Sequence, residues 1–220
     1  MTESARELLA AVQRELAPHD DENRLVHLIA GGTAPRSVFR LIAAEEHHIV
    51  ASDWRSFLHL AARSTERNAR EFFAGLAQGE GVALEKLAAL NAATGLDDEA
   101  LREYEPLAGC QAYPAYLAWL ALNGDPADVV VAITANFAAW GSYCATIAEA
   151  MREHYGFDDD ACGFFDLFAS PPEPGADALP VAAVRAGIEA GRGSREARRY
   201  ARLFQSYELQ FWNTLADQPG

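Results

Sequence analysis

The sequence predicts an all-α protein, and three observations carry that prediction. Apolar residues recur at three- and four-residue intervals through most of the chain. Helix starts and stops of recognisable chemistry, Ser, Asp, Pro and Gly, divide these stretches. No run shows the strict alternation of apolar and polar residues that marks a half-buried strand. Amphipathic helices must bury their stripes against one another, so a bundle follows. A chain of 220 residues that is 50% hydrophobic can build one ample core, and a single domain spanning 1–220 is expected.

Taken in order, Ser4-x-x-Glu7 is a capping-box pattern, continued by Leu8, Leu9, Val12 and Leu16 up to Pro18. A short helix over about 22–30 stops at Gly31-Gly32. Thr33 is then expected to cap a long helix entered through Pro35, in which Phe39, Ile42, Ile49 and Phe57 share a register with two acids, Glu46 and Asp53. The next helix, about 65–94, carries Phe72, Phe73, Leu76, Leu84, Leu87 and Leu90. It is weakened around Gly79-Glu80-Gly81 and closed by Gly95. Asp97 or Asp98 caps a short helix reaching Tyr104. The segment from Tyr113 to Leu122 is expected as a helix with Pro114 in its first turn and Asn123-Gly124 as its stop.

Asp125-Pro126-Ala127-Asp128 combines an N-cap, a first-turn proline and an acid at the positive end of the helix dipole. The helix it starts runs to Tyr155 before Gly156, a rod of about 45 Å. Val129, Ile133, Trp140, Tyr143 and Ile147 form its apolar stripe, on which Asn136 also falls. Phe164, Phe165 and Phe168 mark a short helical insertion before a proline-rich loop at 170–175. Two helices remain, over about 180–190 and from Ser194 to near the C-terminus.

The last helix holds the first functional candidate. Phe204, Glu208, Phe211 and Leu215 fall on one face, flanked by Tyr207 and Trp212. A carboxylate in an aromatic stripe has to be paired, neutralised or chemically employed, because desolvating it unpaired costs several kcal/mol or more. Glu46 and Asp53 raise the same question on a second helix and Asn136 on a third. If these faces meet, with Tyr113, Tyr116, Trp140, Tyr143, Phe168 and Tyr207 as ring walls, they enclose a polar-floored pocket suited to a planar heteroaromatic ligand.

Other classes find less support. The net charge of −14, from 32 acidic and 18 basic residues, opposes binding to nucleic acid. Arg192, Arg195, Arg198, Arg199 and Arg202 lie mostly off the Glu208 face and read as a solvated surface. Neither a membrane span nor a signal peptide is expected, and three cysteines read as reduced thiols place the protein in the cytoplasm. Cys110, Cys144 and Cys162 lack metal-type spacing and read as reduced, buried thiols. Glu45 and His48 form one Glu-x-x-His pair, whereas a di-metal carboxylate bundle needs two. There is no G-x-S-x-G elbow for a serine hydrolase.

On Gly32-Thr33-Ala34-Pro35, the Tyr113 segment, Gly124 before the central helix, and above all Tyr207-Glu208-x-x-Phe211-Trp212, the chain resembles the TenA/thiaminase II family over nearly its whole length. That resemblance implies a haem-oxygenase-like helical bundle, a pocket for the aminopyrimidine of thiamin or its breakdown products, and association into homodimers or homotetramers. It implies that Glu208 is the catalytic glutamate and that Glu46 stands where the family has a pyrimidine-binding aspartate. Tyr113 and Phe211 match ring-contact positions, and Trp140 and Phe168 fall where tyrosines are common. The position of the family's cysteine nucleophile is held here by Asn136, whose amide has no ionisable thiol. Cys144 is eight residues on, about 80° round the helix and some 12 Å along it, and does not replace it.

The expected function is therefore binding of a small planar nitrogen heterocycle, aminopyrimidine- or thiamin-related. Hydrolysis at a C–N bond would use Glu208 as general acid/base, Glu46 as its orienting partner, and Asn136 to position water or a substrate carbonyl. Asn136, Tyr113, Trp140, Phe168, Phe211 and Tyr207 are the expected ligand contacts, without metal or cofactor. The alternatives are a non-catalytic binding or regulatory protein that kept the pocket, and a metal-dependent oxidase using Glu45 or Glu46 with His48.

Overall fold

Ten helices and no strand are present among the described residues, 4–17, 19, 22–170, 175–192 and 194–219, of a computed structural model. Helix α1 (Ala5–Glu15) closes the expected capping box: the Ser4 hydroxyl accepts the Glu7 N–H, and the Glu7 carboxylate accepts the Ser4 N–H at 2.8 Å. Helix α2 (Arg24–Ala30) starts at Asn23, whose side chain accepts the Val26 N–H, and stops at Gly31 with Gly32 at φ 63°.

Helix α3 (Val38–Arg63) departs from expectation at its start. Thr33 does not cap it; the Thr33 hydroxyl donates back to the Leu28 carbonyl at 3.1 Å, finishing α2, and the α3 N-cap position is held by Ser37. Helix α4 (Arg67–Ala93) begins at Glu66, which accepts the Asn68 and Ala69 N–H groups, and runs unbroken through Gly79-Glu80-Gly81. Packing along the length of α3 outweighs a propensity cost of about 1 kcal/mol per glycine. Asp97 caps α5 (Asp98–Glu103).

Helix α6 (Ala108–Asn123) begins five residues before Tyr113, so Pro114 sits inside it and not in its first turn. The cause is tertiary. Fully buried Glu45 on α3 accepts the Leu107 N–H at 2.6 Å, the Tyr104 hydroxyl at 2.8 Å and the Gln111 side-chain amide at 2.8 Å. A carboxylate from another helix thus caps α6, a contact that local spacing does not reveal. Gly109 lets α6 approach α10 closely, since a Cβ there would overlap the Thr214 side chain.

Helix α7 (Pro126–Tyr155) starts as expected, with the Asp125 carboxylate accepting the Ala127 N–H at 3.0 Å, and ends at Gly156 in the left-handed region. It is long and apolar enough to cross a membrane by length and composition, yet α1, α2, α8, α9 and α10 all pack on it. Helices α8 (Asp159–Ala169), α9 (Ala178–Glu189) and α10 (Ser194–Ala216) complete the chain. Of the proline-rich loop at 170–175, residues 171–174 lie outside the described residues.

The apolar core is divided in two. One cluster contains Ile49 and Val50 of α3, Ala83 of α4, Cys110 of α6, Ala139 of α7 and Phe211 of α10. The other contains Phe57, Ala77, Leu117, Ile133 and Phe204 of the same five helices. On each helix the crossing point between clusters is a polar residue: Asp53, Glu80, Tyr113, Asn136 and Glu208. The bundle is apolar at both ends with a polar layer between.

Candidate functional site

That layer opens into a cavity of about 530 Å³, its solvent-facing mouth included. Helix α3 contributes Glu46 and Asp53 with Ile49, Val50 and Phe57, and α4 contributes Glu80. Tyr113 comes from α6; Asn136, Phe137 and Trp140 from α7; Phe168 from α8; Glu208 and Phe211 from α10. Of the residues expected from the sequence, Glu208, Glu46, Asn136, Tyr113, Trp140, Phe168 and Phe211 all reach this one cavity. Tyr207 does not line it. The half-buried Tyr207 ring packs on Tyr116, centroids 5.2 Å apart, because its position on α10 turns it toward α6 and away from the Glu208 face.

Glu208 is held at both oxygens. Trp212, one turn further along α10, donates its indole N–H to Oε1 at 3.3 Å, and the Asn136 side-chain amide donates to Oε2. The same Asn136 nitrogen donates to the Gln205 side-chain oxygen at 3.2 Å. Asn136 therefore ties α7 to α10 inside the core, with all three polar side chains buried. Burial raises the Glu208 carboxyl to about 7 even though both hydrogen bonds favour its ionised form. Trp140 forms the adjacent wall, edge-on to Phe168 at 5.6 Å and tilted against Trp212 at 5.5 Å.

The opposite side is acidic. Burial, and then the neighbouring charges of Glu80, Glu45 and Glu208, push Glu46 well above the usual carboxylate range. Asp53 is raised by burial, Glu80 and Glu46. Glu80 is half-buried as a residue, but its carboxyl lies in the cavity wall and burial raises it to about 8. No Lys, Arg or His lines the cavity among the described residues. Tyr113, within electrostatic reach of all four acids, is held in its protonated form.

Glu80, Trp212 and Gln205 were not expected as site residues. Glu80 lay hidden in a Gly-Glu-Gly step that reads as a helix weakness, although its spacing from Ala77 and Ala83 places it on the buried face. Trp212 offered a usable signal, its i+4 relation to Glu208. Cys144 is fully buried in the core, does not line the cavity, and has its thiol raised by burial. Glu45 accepts three hydrogen bonds, from Tyr104, Leu107 and Gln111, and no three His, Cys, Asp or Glu side chains converge for metal binding among the described residues.

The family model of the TENA/THI-4/PQQC proteins matches residues 22–165, from the start of α2 into α8. The chain belongs to this family. Among solved structures, a TenA family transcription regulator from a Silicibacter species superposes with a TM-score of 0.73 at 19% identity, covering 99% of this chain and 100% of that one. A domain with a haem-oxygenase-like fold from Shewanella denitrificans gives 0.66 at 15% identity, covering 95% and 88%. A TenA-like thiaminase candidate from Sulfolobus solfataricus gives 0.65 at 12% identity, covering 96% and 93%. At these identities the likeness establishes the fold, a haem-oxygenase-like TenA bundle. No curated protein matches by sequence. In this TenA-family chain α10, with Glu208, lies beyond the residues matched by the family model but inside the structural superpositions.

Proposed function

We propose that this TenA-family protein binds a small planar nitrogen heterocycle of the aminopyrimidine or thiamin-related class in the Glu208 cavity and hydrolyses a C–N bond of it. The observation that carries the reading is the Glu208 carboxyl, buried beside a ring-walled cavity and fixed by Trp212 and Asn136. With the carboxyl raised to about 7, both its acid and its base forms are populated near neutrality, the condition that general acid–base catalysis favours.

In this reading the ring lies against Trp140, Phe168 and Phe211, and a ring nitrogen or exocyclic amine meets Glu46 or Glu208. Water attacks the carbon of the scissile bond. A C–O bond forms, the C–N bond breaks, one proton of water passes to Glu208, and the leaving nitrogen takes up a proton from the same carboxyl. Asn136 supports this by orienting Glu208 and by offering its side-chain carbonyl oxygen to accept a hydrogen bond from water. No thiolate is required, which accords with Asn136 in the cavity and Cys144 outside it.

The test is product analysis by mass spectrometry after incubation with aminopyrimidines and thiamin fragments. Glu208→Gln keeps the shape and removes the titration; it is expected to lower turnover by about 10²-fold or more while ligand affinity changes only a few-fold. Turnover unaffected by this change would refute the catalytic role. Asn136 also favours a second reading, a binding or regulatory protein without turnover, which is the outcome if the compounds bind and leave unaltered.

A further inference from the structure

Four carboxyl groups around one small cavity, with no basic side chain to match them, exceed what one neutral heterocycle needs. Glu208 has its own partners in Trp212 and Asn136. Asp53 has none: it is 96% buried, lines the cavity, and its Oδ1 lacks any hydrogen-bond donor in the protein. An acceptor stripped of water and left without a donor costs about 1–3 kcal/mol, more if charged, so a ligand that brings a donor to it gains that amount back. Glu80 faces the same space from α4. The acids do not converge closely enough to hold a metal ion, since no such grouping exists among the described residues. A larger cation with hydrogen-bond donors on several sides meets both conditions, and the aromatic faces of Tyr113 and Phe57 add a favourable environment for an organic ammonium.

We infer that Asp53 and Glu80 form a subsite for an aliphatic ammonium group, so that the ligand of this protein is a heterocycle carrying a basic side arm. The inference rests on the heterocycle reading for the other half of the ligand. The heterocycle lies at the Glu208–Trp140 end, and the arm extends along α3 toward Asp53. The buried acids also couple binding to protons. Glu46, Asp53 and Glu80 hold protons in the ligand-free protein because burial raises all three, and neighbouring carboxyl groups raise Glu46 and Asp53 further. A cation entering among them stabilises the carboxylate forms, and protons leave as it binds.

The experiment is titration calorimetry with a matched set of probes: 4-aminopyrimidine, the same ring bearing an aminopropyl arm, and the same ring bearing a hydroxypropyl arm. The aminopropyl compound is expected to bind about tenfold or more tighter than the hydroxypropyl one, the ratio that a charged hydrogen bond of this kind supports. Its apparent enthalpy is expected to shift between phosphate and Tris buffers as released protons are taken up. In Asp53→Asn/Glu80→Gln the preference falls below about twofold, whereas 4-aminopyrimidine binds as before. Equal affinity of the two arms, or a preference that survives in the double variant, overturns the subsite. If the double variant fails to fold, Glu80→Gln alone is expected to reduce the preference, and an unreduced preference counts against it. If no ring compound binds, the heterocycle reading fails, and n-butylammonium isolates the subsite: binding lost in the variant supports it, and no binding overturns it.

Discussion

The polar residues of the cavity are individually costly, and that cost is measurable. Asp53, at the junction of the two apolar clusters, is buried without a donor at Oδ1 and lies among other acids. The titratable groups facing it are Glu46 on its own helix, Glu80 on α4, Tyr113 on α6 and Glu208 on α10. An acid raised in the folded state keeps its proton where the unfolded chain has already lost one. Its contribution to stability is complete below the unfolded value and is lost as pH rises through the folded value. For Glu208 that window runs from 4.5 to about 7, and for Glu80 from 4.5 to about 8. The melting temperature is therefore expected to fall between pH 5 and pH 8. Asp53→Asn, which keeps the shape and removes the charge, is expected to raise Tm at pH 8 by at least about 3 °C and to raise it less at pH 5, which is nearer the unfolded value of 3.8. Scanning calorimetry of both proteins at both pH values checks this, and a Tm difference independent of pH contradicts it.

At the scale of elements, the helices whose ends are set by adjacent residues were legible in the sequence. Ser4 and Glu7, Asp97, and Asp125 with Pro126 cap helices as their spacing indicates. The start of α6 was not legible, because its cap is Glu45, which is 62 residues from Leu107 in sequence. Removing this carboxylate leaves the Leu107 N–H, the Tyr104 hydroxyl and the Gln111 amide without their acceptor. Glu45→Ala is expected to destabilise the fold by about 3–5 kcal/mol in urea unfolding, and Glu45→Gln by less, since one oxygen remains to accept. A loss under about 1 kcal/mol for Glu45→Ala would mean that α6 is held mainly by its packing on α10 and α3. Thr33 failed as a predicted cap for a related reason: its hydroxyl serves the end of the preceding helix, and sequence alone does not say which of two neighbouring helices a threonine will serve.

For the whole molecule, helical periodicity specified the all-α class, and the embedded Glu208, Glu46 and Asn136 pointed to a shared pocket before any helix was placed. Which acids would meet across the bundle was beyond the sequence, because that depends on the pairing of α3 with α4 and so brought in Glu80. Tyr207 was misassigned because adjacency to Glu208 along a helix means a different face in space. We propose the polar layer between the two apolar clusters as a heterocycle site with Glu208 at its functional end. Titration calorimetry of an aminopyrimidine against the native protein, Glu208→Gln and Trp140→Ala tests it most directly. Saturable one-to-one binding to the native protein is expected, with a loss of about tenfold or more in Trp140→Ala, in keeping with the loss of a stacking wall. Glu208→Gln should retain binding within a few-fold. No binding to the native protein, or equal affinity in Trp140→Ala, would contradict it.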